Sequence, residues 1–204
     1  MDYLIFQVFP YIALGVLILG SIARYERDPF TWKSSSSQML RRKQLILGSV
    51  LFHVGVIVVF FGHLIGLLTP IWVFDTLGIV HGFKQVMAIV VGGIAGGAAL
   101  VGGLLLLHRR LTDPRILATS TIADTTILLI LVVQLVLGMA TILISMQHLD
   151  GAEMVLLMAW AQGIFTFDSD AHLFIEETHW IIKTHIALGL LIFLLFPFTR
   201  LVHM

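Results

Sequence analysis

Residues 45–68 read LILGSVLFHVGVIVVFFGHLIGLL, an apolar run that contains no charged residue but carries His53 and His63. A helix needs about 20 mostly apolar residues to cross the hydrocarbon core of a membrane. The chain contains further stretches of this kind at residues 3–23, 85–107, 124–144 and 179–202. None of them alternates polar and apolar residues as the strands of a membrane β-barrel do. The sequence therefore predicts an all-α integral membrane protein, a five-transmembrane-helix bundle formed by a single domain over residues 1–204.

The composition excludes several classes of protein. Charged residues make up 12% of the 204 residues and hydrophobic residues 58%, whereas an average globular chain has about 25% charged residues. Twelve acidic residues balance twelve basic ones, so nothing indicates a nucleic-acid partner. Cysteine is absent, which excludes disulfides, cysteine-ligated zinc, iron–sulfur clusters held by this chain and covalently attached c-type haem.

Lysine and arginine residues in short loops indicate which side of a membrane protein faces the cytoplasm. Ten of the twelve basic residues fall on one side of the predicted bundle: Arg24, Arg27, Lys33, Arg41, Arg42, Lys43, Arg109, Arg110, Arg115 and Arg200. The opposite loops carry acidic residues instead: Asp75, Asp150, Glu153, Asp168, Asp170, Glu176 and Glu177. We therefore expect the amino terminus outside and the carboxyl terminus in the cytoplasm. Since no basic residue precedes the first apolar segment, we expect this segment to stay attached rather than to be a signal peptide.

Short polar motifs predict where the helices begin and end. The hydroxyls of Ser34–Ser37 could cap the second helix, and Thr69-Pro70 would end it. Asp113-Pro114 would form a turn before the fourth helix, and Asp124 would lie at the positive end of that helix dipole. Residues 145–178 are predicted to be the only long loop, on the outer side.

The third segment is rich in glycine, with Gly92, Gly93, Gly96, Gly97, Gly102 and Gly103. Gly92 with Gly96, and Gly93 with Gly97, form overlapping pairs of small residues four apart, a pattern that lets helices approach closely. Tight helix packing is the main prediction. A groove facing a cofactor is the alternative.

Histidines inside the membrane segments are the strongest functional signal. His53 and His63 lie in the second segment, and His185 and His203 lie in and at the end of the fifth. A single intramembrane histidine is usually a packing residue, but two on each of two helices favour cofactor ligation. Two neutral imidazoles can fill both axial positions of a b-type haem, which suits electron transfer rather than oxygen chemistry. Because His53 and His63 are about 15 Å apart along a helix, they predict two haems at different depths.

The topology predicts how these histidines pair. The second helix runs outward and the fifth runs inward, so equal depth matches His63 with His185 near the outer face and His53 with His203 near the inner face. The inner match is poorer, because His185 and His203 are about 27 Å apart along a straight helix. The second and fifth helices must therefore cross or bend, and Pro197 is the predicted kink.

Neighbouring residues suggest how the haems could be accommodated. Gly55 and Gly62, and also Gly189 one turn after His185, remove side chains where a flat macrocycle could approach. Arg200, Arg109 and Arg110 lie at the predicted inner face and are candidate partners of the anionic haem propionates. The alternative explanation of these arginines is membrane orientation alone.

Two further groups of polar residues have competing interpretations. Lys84 is predicted either to be an interfacial lysine whose side chain reaches water or to be a cation near the outer haem that contacts a quinone oxygen or a propionate. His172, Glu176 and His179 would share one face of a helix, which permits an outer metal site.

Several of these segments together resemble a known family. They are LFHVG at 51–55 with FGH at 61–63 and LTP at 68–70, FKQ at 83–85, the glycine run into LHRR at 107–110, WAQ at 160–162 and FLLFPFTRLVH at 193–203. Over almost its whole length the chain resembles the gamma subunits of membrane-bound respiratory nitrate reductases, the dihaem cytochrome b subunits that anchor those complexes.

The resemblance implies a function and a location. His63 and His185 would hold the outer haem, and His53 and His203 the inner one. Quinol would be oxidised near the outer haem, where Lys84 matches a family lysine. Electrons would pass to an iron–sulfur subunit and a molybdenum catalytic subunit on the cytoplasmic side of a prokaryotic inner membrane, so this chain itself would carry no residue that reduces nitrate. Family members usually continue past the last ligand, whereas this chain stops at Met204, so we expect His203 at a fraying end.

Two other functions fit parts of the pattern. The chain could be a related dihaem cytochrome b that serves another quinone-linked complex, of the sulfite or heterodisulfide type. It could also be a haem-free membrane anchor or small transporter. Transporters usually show broken helices or inverted repeats at mid-membrane, and the sequence indicates neither.

Overall fold

A computed structural model describes residues 1–31 and 40–203. Within these residues, five helices are long and apolar enough to cross a membrane. They are α1 (Phe9–Arg27), α2 (Arg42–Leu68), α4 (His81–Thr112), α6 (Ile122–Ser145) and α9 (Trp180–Leu195). The first span includes the π-helical turn at Leu4–Val8 before α1, and the last continues from α9 through a 3-10 turn to Phe198. No strand occurs in the described part of the chain. The predicted all-α class with five spanning helices is confirmed.

Short helices connect the long ones. They are α3 (Ile71–Thr76), α5 (Pro114–Ala118), α7 (Ala152–Thr166) and α8 (Leu173–Glu176), with 3-10 turns at Pro29–Thr31, Phe196–Phe198 and Arg200–His203. Helix α2 packs mainly against α4, α4 against α6, α6 against α9, and α9 against α1. The end of the bundle at which α2 ends and α4 begins is called the outer end here, after the predicted orientation. The opposite end is the inner end.

The predicted helix limits hold best where a polar cap is present. Helix α2 ends at Leu68 with Thr69 as its cap, as predicted. Thr121 and Asp124 form a capping box at the start of α6, which confirms the position of Asp124 in its first turn. Asp113 accepts a hydrogen bond from a backbone amide of α5, so the predicted turn begins a short helix. The serines predicted to cap α2, Ser34–Ser37, lie outside the described residues.

Other limits differ because apolar windows underestimate helices with charged ends. Helix α4 spans His81–Thr112 rather than 85–107. Its last turn holds Arg109 and Arg110, and positive charges are favourable at the carboxyl end of a helix dipole. Helix α1 likewise continues to Arg27, with Arg24 in its last turn.

The fifth helix is shorter than its predicted span of 179–202. Helix α9 ends at Leu195, and 3-10 turns at Phe196–Phe198 and Arg200–His203 follow it. Proline lacks the amide hydrogen that an α-helix needs and its ring clashes with the preceding turn. The predicted kink at Pro197 is therefore confirmed as a full break.

Residues 145–178 were predicted to form one long loop. This prediction is wrong, because the segment contains the 15-residue helix α7. The sequence of α7, AEMVLLMAWAQGIFT, is apolar but too short to span a membrane. Helix α7 packs against α2 and α8 at the outer end, and its Trp160 indole donates a hydrogen bond to the Phe6 carbonyl at 2.8 Å. The residues of this cluster are buried together: Phe6, Trp160, Ala161, Ile164, Ala171 and Ile175.

Helices α2 and α4 approach each other with almost no side chains between them. A Cβ atom placed on Gly102 would lie 2.4 Å from the Phe52 amide nitrogen, and one on Gly55 would lie 2.5 Å from the Ala95 carbonyl oxygen. The expectation that Gly55 leaves space for a macrocycle is therefore wrong, since the backbone of α4 fills that space. Tight packing by glycine is confirmed, but chiefly through Gly102.

The predicted small-residue pairs of α4 contribute less to this packing. Gly92 and Gly97 have no atom within 4 Å of an added Cβ, whereas one on Gly96 would lie 3.1 Å from the Met139 sulfur of α6. Spacing by four residues selects a helix face, but it does not say which neighbour covers that face.

At the outer end, the amino terminus is joined to the start of α9. The Lys183 ammonium lies 2.6 Å from a carboxylate oxygen of Asp2 and donates to the Glu176 carbonyl at 2.7 Å. Its hydrogen bond holds the pKa of Asp2 below the usual value. The pair therefore persists to a lower pH than an ordinary aspartate would allow.

Candidate functional site

Helix α2 and the chain from α9 onward bring the four predicted histidines together as two pairs. The ring centres of His63 and His185 are 6.3 Å apart, with an interplanar angle of 40°. Those of His53 and His203 are 6.1 Å apart, with an angle of 71°. These are the same partners that the sequence topology matched.

The separation within each pair leaves room for one metal ion. An imidazole nitrogen lies about 2 Å from a bound transition metal. The ring centre lies about 1 Å farther away, so two imidazoles on opposite sides of one ion have centres about 6 Å apart. In the described residues, no group of three or more His, Cys, Asp or Glu side chains could hold a metal ion. Each pair therefore suits an ion whose other positions are already filled, as they are in a haem.

The same observation corrects the predicted outer metal site. His172, Glu176 and His179 do not share a helix, because α8 ends at Glu176. His179 instead caps α9, with its Nδ1 accepting a hydrogen bond from the Ile181 amide at 3.2 Å. An imidazole used as a helix cap cannot use that nitrogen for a metal.

Backbone carbonyls determine the tautomer of three of the four imidazoles. His63 Nδ1 lies 2.8 Å from the Val59 carbonyl oxygen, and His53 Nδ1 lies 2.7 Å from the carbonyl oxygen of Ser49. The Nδ1 of His203 bonds in the same way to the Arg200 carbonyl. A carbonyl only accepts, so the hydrogen of each neutral ring is on Nδ1 and the lone pair is on Nε2. This arrangement leaves Nε2 available to bind a metal.

His185 is held by helix α6 instead. Its ring lies against Gly138, where an added Cβ would be 3.1 Å from the ring carbon Cε1. The Gln134 amide, one turn earlier, donates to the His185 carbonyl at 3.0 Å. The His185 Nδ1 is buried without a hydrogen-bond partner. Sequence reasoning missed Gln134 and Gly138, whose spacing of four residues on an apolar helix gave no signal by itself.

Gly189 belongs to the same contact. A Cβ atom at Gly189 would lie 3.2 Å from the Gln134 amide nitrogen, so the small residue admits a side chain of α6 rather than a macrocycle. By contrast, Gly62 has no atom within 4 Å of an added Cβ, and neither does Gly66. The face of α2 on either side of His63 is thus open.

The three predicted propionate partners differ in their surroundings. Arg109 is buried, and its guanidinium donates to the Leu40 carbonyl at 2.7 Å. Arg200 lies 3.8 Å from a carboxylate oxygen of Asp124. Arg110 interacts electrostatically with Arg200 and Asp124. Its Nη1 is buried without a hydrogen-bond partner. Among the three, Arg110 carries a buried donor that an anion would satisfy.

Lys84 is enclosed at the outer end rather than directed to water. Its side chain and backbone together are only 6% exposed. The ammonium donates to the Gly66 carbonyl at 2.9 Å, contacts the Met158 sulfur at 2.8 Å and lies 3.8 Å from the centre of the Phe74 ring. The alternative of a lysine that reaches interfacial water is therefore wrong. The cation lies against the Gly66 carbonyl, one turn of α2 beyond His63.

Helix α7, which the sequence analysis did not predict, builds the cover of this outer site. Met158 of α7 contacts Lys84, and Gln162 donates to the carbonyls of Leu67 and Thr69, each at 3.0 Å. The amide of Gln162 therefore satisfies carbonyls left free at the end of α2. The available signal was the motif WAQ at 160–162, which has structural roles at Trp160 and Gln162.

Residues 2–204 match the family described as Nitrate reductase gamma subunit. The chain is 46% identical to the respiratory nitrate reductase 1 gamma chain of Escherichia coli (strain K12) over 198 residues. The matched region covers 97% of this chain and 88% of that relative. It is 47% identical over 198 residues to the respiratory nitrate reductase 2 gamma chain of the same strain, with 97% and 87% covered. The nitrate reductase gamma chain of Bacillus subtilis (strain 168) is 38% identical over 200 residues, covering 98% and 89%.

Proposed function

The chain belongs to the nitrate reductase gamma subunit family, and on that premise we propose that it is the membrane-anchoring dihaem cytochrome b subunit of a respiratory nitrate reductase. In this proposal the chain oxidises quinol near the outer face and delivers electrons to an iron–sulfur subunit and a molybdenum catalytic subunit in the cytoplasm. Nitrate is reduced on the partner subunit. The identity to two respiratory gamma chains over nearly their whole length favours nitrate over a sulfite or heterodisulfide complex.

The observation that carries the proposal is the presence of two imidazole pairs at two depths. His63 and His185 would hold the outer haem, and His53 and His203 the inner one. The ring separations of 6.3 and 6.1 Å and the carbonyl-bonded Nδ1 atoms support this assignment. A b haem held between two imidazoles would supply one-electron transfer rather than dioxygen chemistry.

The distribution of charge supports the proposed orientation. The described arginines lie at the inner end of the bundle, where Arg24 and Arg27 end α1 and Arg109 and Arg110 end α4. A cytoplasmic inner end follows from the positive-inside rule. Arg110 and Arg200 would then receive the propionates of the inner haem, with Arg109 in the same arginine group but engaged by the backbone at Leu40.

Lys84 is proposed to bind the quinol head group. Its ammonium is held by the Gly66 carbonyl at 2.9 Å, and one turn of α2 separates Gly66 from His63. An ammonium has three donors, so it can keep this carbonyl and donate to a quinol oxygen as well. A fixed cation at this point favours the negative charge that develops on the oxygen when its proton leaves.

The haem content of the purified protein tests the proposal. We expect two b haems per chain from pyridine haemochrome absorbance measured against protein mass in detergent. One haem would indicate that His203 does not act as a ligand. No haem, from cells supplied with haem, would contradict the proposal and favour a haem-free anchor.

Replacing Lys84 with glutamine should slow electron uptake from quinol without removing haem. The loss of a hydrogen bond from a charged donor costs about tenfold or more in rate. The measurement is the rate of haem reduction by added quinol in membranes. Lys43→Gln is the control, because Lys43 is an exposed lysine at the inner end of α2. An unchanged rate in Lys84→Gln would remove Lys84 from the quinol site.

Replacing Gly138 with alanine should displace the outer ligand selectively. The new Cβ would lie 3.1 Å from the His185 ring, and overpacking of this kind costs about 1–3 kcal/mol. We expect weaker retention of the outer haem, or an altered low-spin spectrum of that haem, with the inner haem unchanged. Gly93→Ala is the matched control, since its Cβ first meets a methyl group of α6 at 3.9 Å. If both variants kept identical spectra, Gly138 would have no part in orienting His185.

A further inference from the structure

Helix α1 contributes none of the four histidines, yet it holds the backbone break that precedes one of them. The Arg24 guanidinium, through Nη1, donates to the Pro197 carbonyl at 2.7 Å and to the Thr199 carbonyl at 2.9 Å. In the sequence analysis, Arg24 served only to indicate the orientation of the chain in the membrane. The contacts give it a second role inside the protein.

The two carbonyls lie in the break itself, beyond the end of the α-helix. Helix α9 ends at Leu195, so the regular hydrogen bonds of the helix do not hold the backbone at Pro197 and Thr199. Thr199, between the two 3-10 turns, has an extended backbone with φ −119° and ψ 179°. A charged donor that spans both carbonyls fixes the direction in which the chain leaves the break.

A second contact of α1 acts on the same point. An added Cβ on Gly20 would lie 2.8 Å from Pro197 Cγ and 3.1 Å from its Cβ. Gly20 precedes Arg24 by one turn, so both lie on the same face of α1. The proline ring therefore rests directly on the helix backbone while the guanidinium binds the carbonyls beyond it.

The direction of this segment decides where His203 lies. Arg200–His203 forms a single 3-10 turn, and at its end the His203 ring centre lies 6.1 Å from that of His53. We propose that Arg24 is a positioning residue for the inner histidine pair: with Gly20, it clamps the break at Pro197 so that His203 faces His53. The haem-based part of the test rests on the proposed function, but the geometric part does not.

The first test compares haem retention in variants of the full complex in membranes. Arg24→Ala should retain the inner haem about tenfold more weakly, as expected for the loss of a charged hydrogen bond. Gly20→Ala should weaken its retention too, because the new Cβ would lie 2.8 Å from Pro197 Cγ. Both variants should leave the spectrum of the outer haem unchanged. Arg24→Lys should restore part of the inner signal, because an ammonium can also donate to two carbonyls.

Each variant has a matched control. Arg27→Ala removes the same charge from an exposed position one turn later, and Gly15→Ala adds a Cβ with no atom within 4 Å. Both controls should keep both haems. Equal loss of both haems in Arg24→Ala, or an unaltered inner haem in both Arg24→Ala and Gly20→Ala, would overturn the proposal.

The second test does not depend on haem at the inner pair. The chain contains no cysteine, so the double variant His53→Cys, His203→Cys offers a single pair of thiols to a short bis-maleimide reagent. We expect crosslinking in this background and its loss when Arg24→Ala is added, with equal accumulation of both chains in membranes as the sign that the bundle is folded. If the parent chain held no haem, the proposed function would fail while this crosslink still judged Arg24. Equal crosslinking with and without Arg24→Ala would overturn the positioning role.

Discussion

Replacing His185 with alanine is expected to remove the outer haem and to stop electron uptake from quinol. Its ring is one of only two imidazoles in the outer pair, 6.3 Å from His63, and no other protein ligand in the described residues completes a metal group there. Without the His185 imidazole, His63 would have to hold the proposed outer haem alone. His63→Ala should have the same effect from the other side. The measurement is the haem-to-protein ratio, which should fall from two to one.

The inner pair should respond separately. His203→Ala is expected to remove only the inner haem, so that quinol still reduces the outer haem but electrons no longer reach the cytoplasmic acceptor. His108→Ala serves as the control, because His108 is exposed and its Nδ1 contacts Gln44 at 3.2 Å. Loss of both haems from every variant, at equal extent, would contradict the assignment of two independent pairs.

Replacing Gly102 with alanine is expected to prevent the bundle from forming in its normal geometry. The added methyl group would lie 2.4 Å from the Phe52 amide nitrogen and 2.7 Å from the Gly48 carbonyl oxygen. Overpacking costs about 1–3 kcal/mol where side chains can move, but here the opposing atoms are backbone and only a separation of the helices relieves the clash. We expect little protein to accumulate in membranes.

The effect of Gly102→Ala on haem should differ from that of the histidine variants. Helix α2 carries His53 and His63, so its displacement should weaken both pairs together. The control is Gly97→Ala on the same helix, because no atom lies within 4 Å of its added Cβ. The quantities to measure are the amount of protein in membranes and the temperature at which haem absorbance is lost. Normal accumulation of Gly102→Ala would mean that α2 and α4 are farther apart than described.

The spanning helices and the pairing of the histidines were predictable because they depend on regular quantities. Apolar length selects a spanning helix, and the fixed rise per residue gives the depth of each histidine along it. The poor match of the inner pair even indicated the break at Pro197. The rise per residue could not predict the course of the chain beyond that break. We infer that this course depends on the Arg24 side chain, which comes from a distant helix.

The surroundings of the outer site were less predictable, since they depend on contacts between distant segments. Helix α7 is short and follows acidic residues, so its sequence was interpreted as a loop. Lys84 is buried against Met158 of α7. Since α7 was not predicted, nothing in the sequence around residue 84 indicated this burial. Gly55 was assigned to a cofactor for a similar reason: a missing side chain shows that something is close, but not whether it is a macrocycle or the backbone of α4.

The division of each histidine pair between α2 and the segment from α9 onward has a consequence for biosynthesis. His53 and His63 leave the ribosome well before His185 and His203. Neither pair can exist until α9 and the turns that follow it have been made and have entered the membrane. A nascent chain that lacks this segment offers only single imidazoles, so neither two-sided site can form while α2 alone is in place.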